Sequence, residues 1–281
     1  MPQDTMLLLT CEKTPDAVIK GAVDEAQAQA RFLQVLVTGL PPVLPYSAYS
    51  GVPYGTFNIP DTWPDDLHRT QEALETRVNE VEKLLSQAGV SGTVEAVCAS
   101  TYDLRAQIGQ RAMIADYAQI CDDLRDEKDL FDDILYGLLF LSATPVILNG
   151  GPLAQPQNIF VAWDTSLPAA RAVRAALPLL RSAKEVVIGC FDPIMSRFAA
   201  GENPGSDIAK WLTRQGCNVT VNQYGSGGVE LAEAFQTHAK ELGSDLLVMG
   251  AYGHARSRQA VFGGTTRSML EQQELQLLMA H

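Results

Sequence analysis

Residues Asp245–Thr266 read DLLVMGAYGHARSRQAVFGGTT. DLLVM (Asp245–Met249) is a short, continuous apolar run of the kind found in fully buried parallel strands. Gly250 ends it, Gly253 follows after two residues, and Gly263-Gly264-Thr265-Thr266 follows after nine more. The spacing predicts a strand, a glycine-rich loop and a short helix near Thr266–Gln272. Glycines let a backbone turn sharply and approach a ligand closely. A helix N-terminus presents unpaired N–H groups and the positive end of the helix dipole, which suits phosphate. Thr265 and Thr266 add hydroxyls, and His254, Arg256, Arg258 and Arg267 add positive charge. The local pattern alone leaves two readings open, a simple turn and a phosphate-binding loop.

Working outward, the same half of the chain alternates strand and helix. Asn158–Trp163 (NIFVAW) is an apolar run that ends at Asp164. Ser166 opens a helical stretch to about Ala183. Glu185–Phe191 is a strand, Asp207–Gln215 a helix and Cys217–Gln223 a strand. Val229–Leu242 is an amphipathic helix stopped by Gly243, and Leu275–Ala280 is a last strand. Alternation of this kind predicts an α/β fold with a mostly parallel sheet. Such sheets bind ligands at the carboxyl ends of their strands, where the strand order reverses. Asp164 and the loop after Met249 both fall on that edge. Asp164 has two readings, an acceptor for an adenine amino group or ribose hydroxyl, and a cap for the following helix shared with Ser166.

Residues 1–150 repeat the order more loosely. Strands are expected at Thr5–Thr10, Phe32–Thr38, Thr93–Cys98, Asp116–Cys121 and Pro145–Leu148. Helices are expected at Asp16–Ala30, Leu67–Ala88, Leu104–Ala115 and Leu130–Leu141. Ala115-Asp116 stands before its strand as Ser244-Asp245 stands before its own. Pro41–Pro64 is an insertion rich in Pro, Gly and aromatic residues, expected to pack over a sheet edge, at a chain–chain contact or on its own core. Asn149–Gln157 has linker composition, so two domains are expected, 1–150 and 151–281, within the usual ~100–200 residues each.

The bulk numbers exclude several classes. Hydrophobic residues make up 46% and charged residues 19%, enough for a globular core. No apolar run reaches the ~18 residues of a membrane span, and the N-terminus does not read as a signal peptide. The net charge of −12 argues against a nucleic-acid partner. Residues 1–150 carry 22 acids against 10 Lys and Arg, and residues 151–281 carry 11 against 11, so the negative excess lies entirely in the first half. The five cysteines form no CxxC pair, and no His lies at ligand spacing from one. Free thiols in a reducing cytoplasm and no metal site are expected.

The segment Asp245–Leu270, with its Gly-x2-Gly-x9-Gly spacing and nearby Thr, resembles the signature of the universal stress proteins. Ile159–Asp164 followed by Ser166 resembles that family's first strand. The resemblance covers most of residues 156–281, and strand order extends it weakly to the first half. It implies two tandem Rossmann-like domains (flavodoxin-like, adenine nucleotide alpha hydrolase-like) with five-stranded, mostly parallel sheets. These would pack as an internal pseudo-dimer or in a homodimer, with the last strands, Pro145–Leu148 and Leu275–Ala280, at the contact, where pairing them would remove two exposed sheet edges. It implies an adenine nucleotide, ATP or AMP, with or without Mg. Asp164 would contact adenine or ribose, with Ala162 beside the base. Met249, Gly250, Gly253, His254, Gly263, Gly264, Thr265 and Thr266 would line the ribose and phosphates. The chain departs from the pattern at Gly264, where the signature has Ser or Thr, and at Gln276, where Pro is common.

Aligning the strands puts Cys11 at the position of Asp164, Cys121 at that of Gly250 and Leu124 at that of Gly253. Asp122–Asp133 (DDLRDEKDLFDD) holds seven acids and two bases, which repel phosphate or simply form a solvated helix face. No nucleotide is expected in the first half. GxxxxGK[ST], GxSxG and HExxH are all absent, and no catalytic residue is assigned. The expected function is a stress-response or regulatory protein that binds an adenine nucleotide. The alternatives are a ligand-free dimerisation scaffold and a weak ATPase.

Overall fold

The computed structural model describes residues 4–44, 59–151, 155–193, 203–252 and 264–281. In the first half the order is β1 (Thr5–Cys11), α1 (Asp16–Ala28), β2 (Phe32–Gly39), α2 (Trp63–Ala88), β3 (Gly92–Cys98), α3 (Thr101–Ala112), β4 (Tyr117–Ile120), a 3-10 helix (Asp122–Asp126), α4 (Lys128–Leu141) and β5 (Val146–Leu148). The second half has β6 (Asn158–Ala162), α5 (Leu167–Ala175), α6 (Leu177–Ser182), β7 (Glu185–Phe191), α7 (Ser206–Arg214), β8 (Val219–Tyr224), α8 (Leu231–Glu241), β9 (Leu246–Gly250), α9 (Gly264–Glu271) and β10 (Leu277–Ala280).

All ten strands belong to one sheet, in the order β3-β2-β1-β4-β5-β10-β9-β6-β7-β8. Within each half every pairing is parallel. The halves join through one antiparallel pair, Leu277↔Leu148, Leu278↔Ile147 and Met279↔Val146. The last strands of the two halves meet as expected, and their pairing joins two five-stranded parallel sheets into one sheet of ten. A three- or four-residue edge strand leaves a row of unpaired N–H and C=O groups, and β5 and β10 satisfy theirs by merging the sheets. The outer strands β3 and β8 are the partly exposed edges, while β6, β9 and β10 are almost wholly buried.

The internal repeat holds at the level of single bonds. Asp116 lies just before β4; its carboxylate accepts from the Thr5 N–H at 2.7 Å and its own N–H donates to the Thr5 carbonyl. Asp245, just before β9, accepts from the Gln157 and Asn158 N–H groups and donates to the Asn158 carbonyl. One residue type thus sets the register of the two central strands in each half.

The expected long helix after Ser166 breaks at Ala176 into α5 and α6. Pro178 has no N–H for the preceding turn. At the seam Gln276, in the place where Pro is common, donates its side-chain amide to the Asn149 and Gly151 carbonyls. Asn149 donates in turn to the Leu275 carbonyl at 3.1 Å. Of the insertion's aromatic residues, Tyr46, Tyr49, Tyr54 and Phe57 lie outside the described residues. Trp63 begins α2 and donates its indole N–H to the Pro42 carbonyl at 2.9 Å. Among the described residues no helix is long and apolar enough to cross a membrane.

Candidate functional site

In the second half the strand order reverses between β6 and β9. Ala162 and Met249 are direct partners across that pair, and both are buried. Beyond Ala162 the Trp163 N–H still reaches the Gly189 carbonyl of β7. The chain then turns, with Thr165 at φ +64°. Asp164 is exposed on this edge, and its Oδ1 accepts from the Ser166 N–H at 2.9 Å. Ser166 is the cap of α5, accepting from the Ala169 N–H at 3.2 Å. The two residues therefore divide the work: the hydroxyl caps the helix and the carboxylate holds the turn.

Met249 and Gly250 end β9 beside them. A Cβ on Gly250 would lie 2.7 Å from the Pro168 carbonyl carbon and closer still to the Ala169 nitrogen. The close approach that this glycine permits is made by the first turn of α5. Ala169, Ala172 and Val173 form the buried stripe of that helix, and small residues let it settle onto the strand end.

Gly253, His254, Arg256, Arg258 and Gly263 lie outside the described residues. The structure does show how the ends of their loop are held. Tyr252 is buried at φ +60°, and its N–H donates to the Thr266 hydroxyl at 3.2 Å. The preceding Ala251 donates to the Ala280 carbonyl at 2.8 Å, and its own carbonyl lies 3.0 Å from the His281 ring. Burial raises the Tyr252 phenol above its ordinary pKa, and the Asp132 carboxylate adds to the rise. Gly264 opens α9 and is exposed, Thr265 is half-buried and Thr266 is buried. Arg267 pairs with Glu271 at 3.0 Å, one turn along. Asp164, the end of β9 and the start of α9 thus belong to one edge. Thr266 is committed to the loop's closure, which leaves Thr265 as the half-buried hydroxyl of the pair.

The first half has the matching edge between β1 and β4. Leu9 pairs with Ile120 there as Ala162 pairs with Met249. Counting on from those pairs, Cys11 takes the place of Asp164 and Cys121 that of Gly250. The 3-10 helix after β4 folds back over this edge. Asp123 accepts from the Thr14 hydroxyl at 2.7 Å and lies 3.7 Å from the Cys11 sulfur. Leu124, which the same count sets against Gly253, is fully buried. Burial and then the Asp123 charge push the Cys121 thiol far up. Beside Cys11 this edge is covered by Asp123 and Leu124, and it carries negative charge.

No family model matches the sequence, and no curated protein matches it. Solved structures match the fold over nearly its whole length. A universal stress protein from Archaeoglobus fulgidus DSM 4304 aligns with 99% of this chain and 96% of its own, at TM-score 0.66 and 15% identity. The chain has the universal stress protein fold in tandem. A putative universal stress protein from Pseudomonas aeruginosa UCBPP-PA14 aligns with 98% of this chain and 92% of its own, at TM-score 0.57 and 14% identity. A protein of unknown function from Pseudomonas aeruginosa PAO1 does so over the same shares, at 0.55 and 13%.

Within the universal stress protein fold, sequence reasoning missed three residues. Tyr252 sits inside the glycine motif, and its only signal is an aromatic residue between two glycines. Asp123 read as one of many acids. Arg125 donates to the Leu270 carbonyl at the end of α9 and to Asn149 Oδ1 at 2.6 Å. It gave no signal, because both partners are distant in sequence. Among the described residues no group of three or more His, Cys, Asp or Glu could hold a metal ion.

Proposed function

We propose that this chain is a stress-response or regulatory protein that binds one adenine nucleotide, ATP or AMP, in its second domain. Residues 1–150 form a degenerate domain and 151–281 the binding one. The observation that carries this reading is the asymmetry of the two switch points. In the second half Asp164, Met249 and the tied ends of the glycine-rich loop meet on one edge, whereas the matching edge of the first half carries Cys11 and the acidic Asp122 and Asp123 and has Leu124 buried in it. Asp164 is the acceptor for the adenine amino group or ribose, with Ala162 beside the base. Gly253, His254, Gly263, Gly264, Thr265 and the N–H groups opening α9 serve the phosphates, with Mg as the counterion for ATP. Met249 and Gly250 end the strand that leads into the loop, and Thr266 ties the helix after it back to Tyr252.

The purified, denatured protein should release an adenine nucleotide detectable by mass spectrometry. Calorimetric titration of the stripped protein with ATP and AMP should give one site per chain and no second. Two sites per chain, or none, would refute the proposal.

A second reading, a ligand-free scaffold, is favoured by specific observations. α5 already fills the room over Gly250, the Thr266 hydroxyl is engaged, and Gly264 supplies no hydroxyl. On that reading the β5–β10 pair is the point of the fold, as an internal pseudo-dimer or within a homodimer. Absence of nucleotide in both measurements, with the fold intact, is its expected outcome.

A further inference from the structure

We infer that the degenerate first half positions the two elements that flank the second half's glycine-rich loop, Tyr252 at the end of β9 and the helix α9, acting through Phe140 and Arg125. This deepens the proposed nucleotide-binding reading and rests on it for its functional meaning. Two independent contacts carry it. The first is at the loop's entry. The Phe140 ring of α4 packs on Tyr252 with centroids 5.1 Å apart and on His281 at 4.7 Å. Tyr252 is the last described residue before Gly253; it is held at φ +60° and its N–H is tied to Thr266. A non-glycine residue in the left-handed region stays there only when its surroundings enforce it. The first half supplies part of that enforcement. Phe140 is fixed from behind by Tyr136 at 4.9 Å, and Tyr136 by the Arg105 guanidinium at 4.4 Å. Arg105 is anchored on the buried Asp133 carboxylate at 2.7 Å.

The second contact is at the far end of the helix that follows the loop. Arg125 comes from the 3-10 helix that closes the first half's own edge. Its guanidinium donates to the Leu270 carbonyl near the C-terminus of α9 and to Asn149 Oδ1, and lies over the Phe131 ring at 5.0 Å. A cation there complements the negative end of the helix dipole. The eight residues of α9 are therefore held at the end away from the loop by the first half, while Thr266 fastens the near end to Tyr252. In place of a ligand edge the first half thus supplies two contacts that hold Tyr252 and α9 of its neighbour.

The test uses the full-length chain with Phe140→Leu and Arg125→Gln, singly and together. Both keep most of the side-chain volume, so that the fold is retained. Hydrogen exchange without nucleotide is read at the Tyr252 amide and along α9. The amides of β6 and β7 serve as the reference for global opening. Faster exchange of about tenfold is expected at Tyr252 and α9, with β6 and β7 unchanged, because one charge-assisted hydrogen bond is worth about that factor. Arg125→Lys should restore part of the protection of α9. Unchanged exchange at Tyr252 and α9, or equal acceleration in β6 and β7, would overturn the inference. Titration with ATP then reads function: affinity should fall roughly tenfold in the double variant. If even the unsubstituted protein binds no ATP, the nucleotide reading fails on its own, while the exchange data still decide the positioning role.

Discussion

The two switch points of this molecule are built on one frame and finished differently. Asp116 and Asp245 set the register of the central strands by the same bonds. Beyond the strand ends the halves part. In the second half α5 descends onto Gly250 until a Cβ would meet its backbone. In the first half Cys121 stands at that place, and a cavity of about 210 Å³ remains beside it, lined by Pro15, Val18, Cys121 and Asp123 among others. One half presses its helix down and keeps an exposed carboxylate on the edge. The other holds its helix off and folds Asp123 and Leu124 into the edge. The difference shows that one frame can carry two kinds of edge, an exposed carboxylate beside a pressed-down helix, or a 3-10 helix whose Asp123 and Leu124 cover the strand ends.

The comparison can be broken most sharply at the strand ends. Gly250→Val drives side-chain atoms into the backbone of Pro168 and Ala169, and it should cost about 3 kcal/mol in urea unfolding. Cys121→Val, at the equivalent position with room beside it, should cost less than about 1.5 kcal/mol. Equal losses would show that α5 and α1 sit alike on their strands.

Next in size is Asp164→Ala. It should weaken adenine nucleotide binding by roughly 10- to 150-fold in calorimetric titration, the worth of one hydrogen bond to a charged group. The effect of Thr266→Val should be smaller, about 1 kcal/mol of stability, because the buried Tyr252 N–H loses its acceptor. Thr266→Ser should restore it, since the hydroxyl is the group that accepts. The smallest effect is expected at the counterpart of Asp164. Cys11→Ala should leave ATP and AMP affinity unchanged. Binding that responds to Cys11 and ignores Asp164 would reverse the assignment of the working half.

Much of this architecture was legible from local signals. Continuous apolar runs marked β6, β7 and β9, because strands buried on both faces show that pattern whatever surrounds them. Gly243 marked the end of α8, where it sits at φ +60°, because a helix stop of this kind needs the left-handed region. The equivalence of Cys11 with Asp164 and of Cys121 with Gly250 followed from counting strands, and the pairing register agrees with that count. The break at Ala176 could have been read from Pro178, but helical periodicity runs straight through it. Of the candidate site, Ala162, Asp164 and Met249 stand on the edge that strand order implied. The use of Gly250 and Thr266 was not legible, since glycine and threonine serve a ligand, a packing contact or a loop closure with the same local sequence.

By itself the sequence determined the repeated α/β frame, the charge imbalance between the halves and the position of the glycine-rich loop at a strand end. Each of these is set by residues close together in the chain or by composition. Only the tertiary structure decided the register in which the last strands join the two sheets, that α5 rather than open space lies over Gly250, and that Phe140 and Arg125 reach across to Tyr252 and Leu270. Those contacts join residues more than a hundred positions apart or depend on how closely a helix descends onto a strand. No local periodicity encodes them, because they follow from close packing and from the need to pair every buried polar group once the chain has folded.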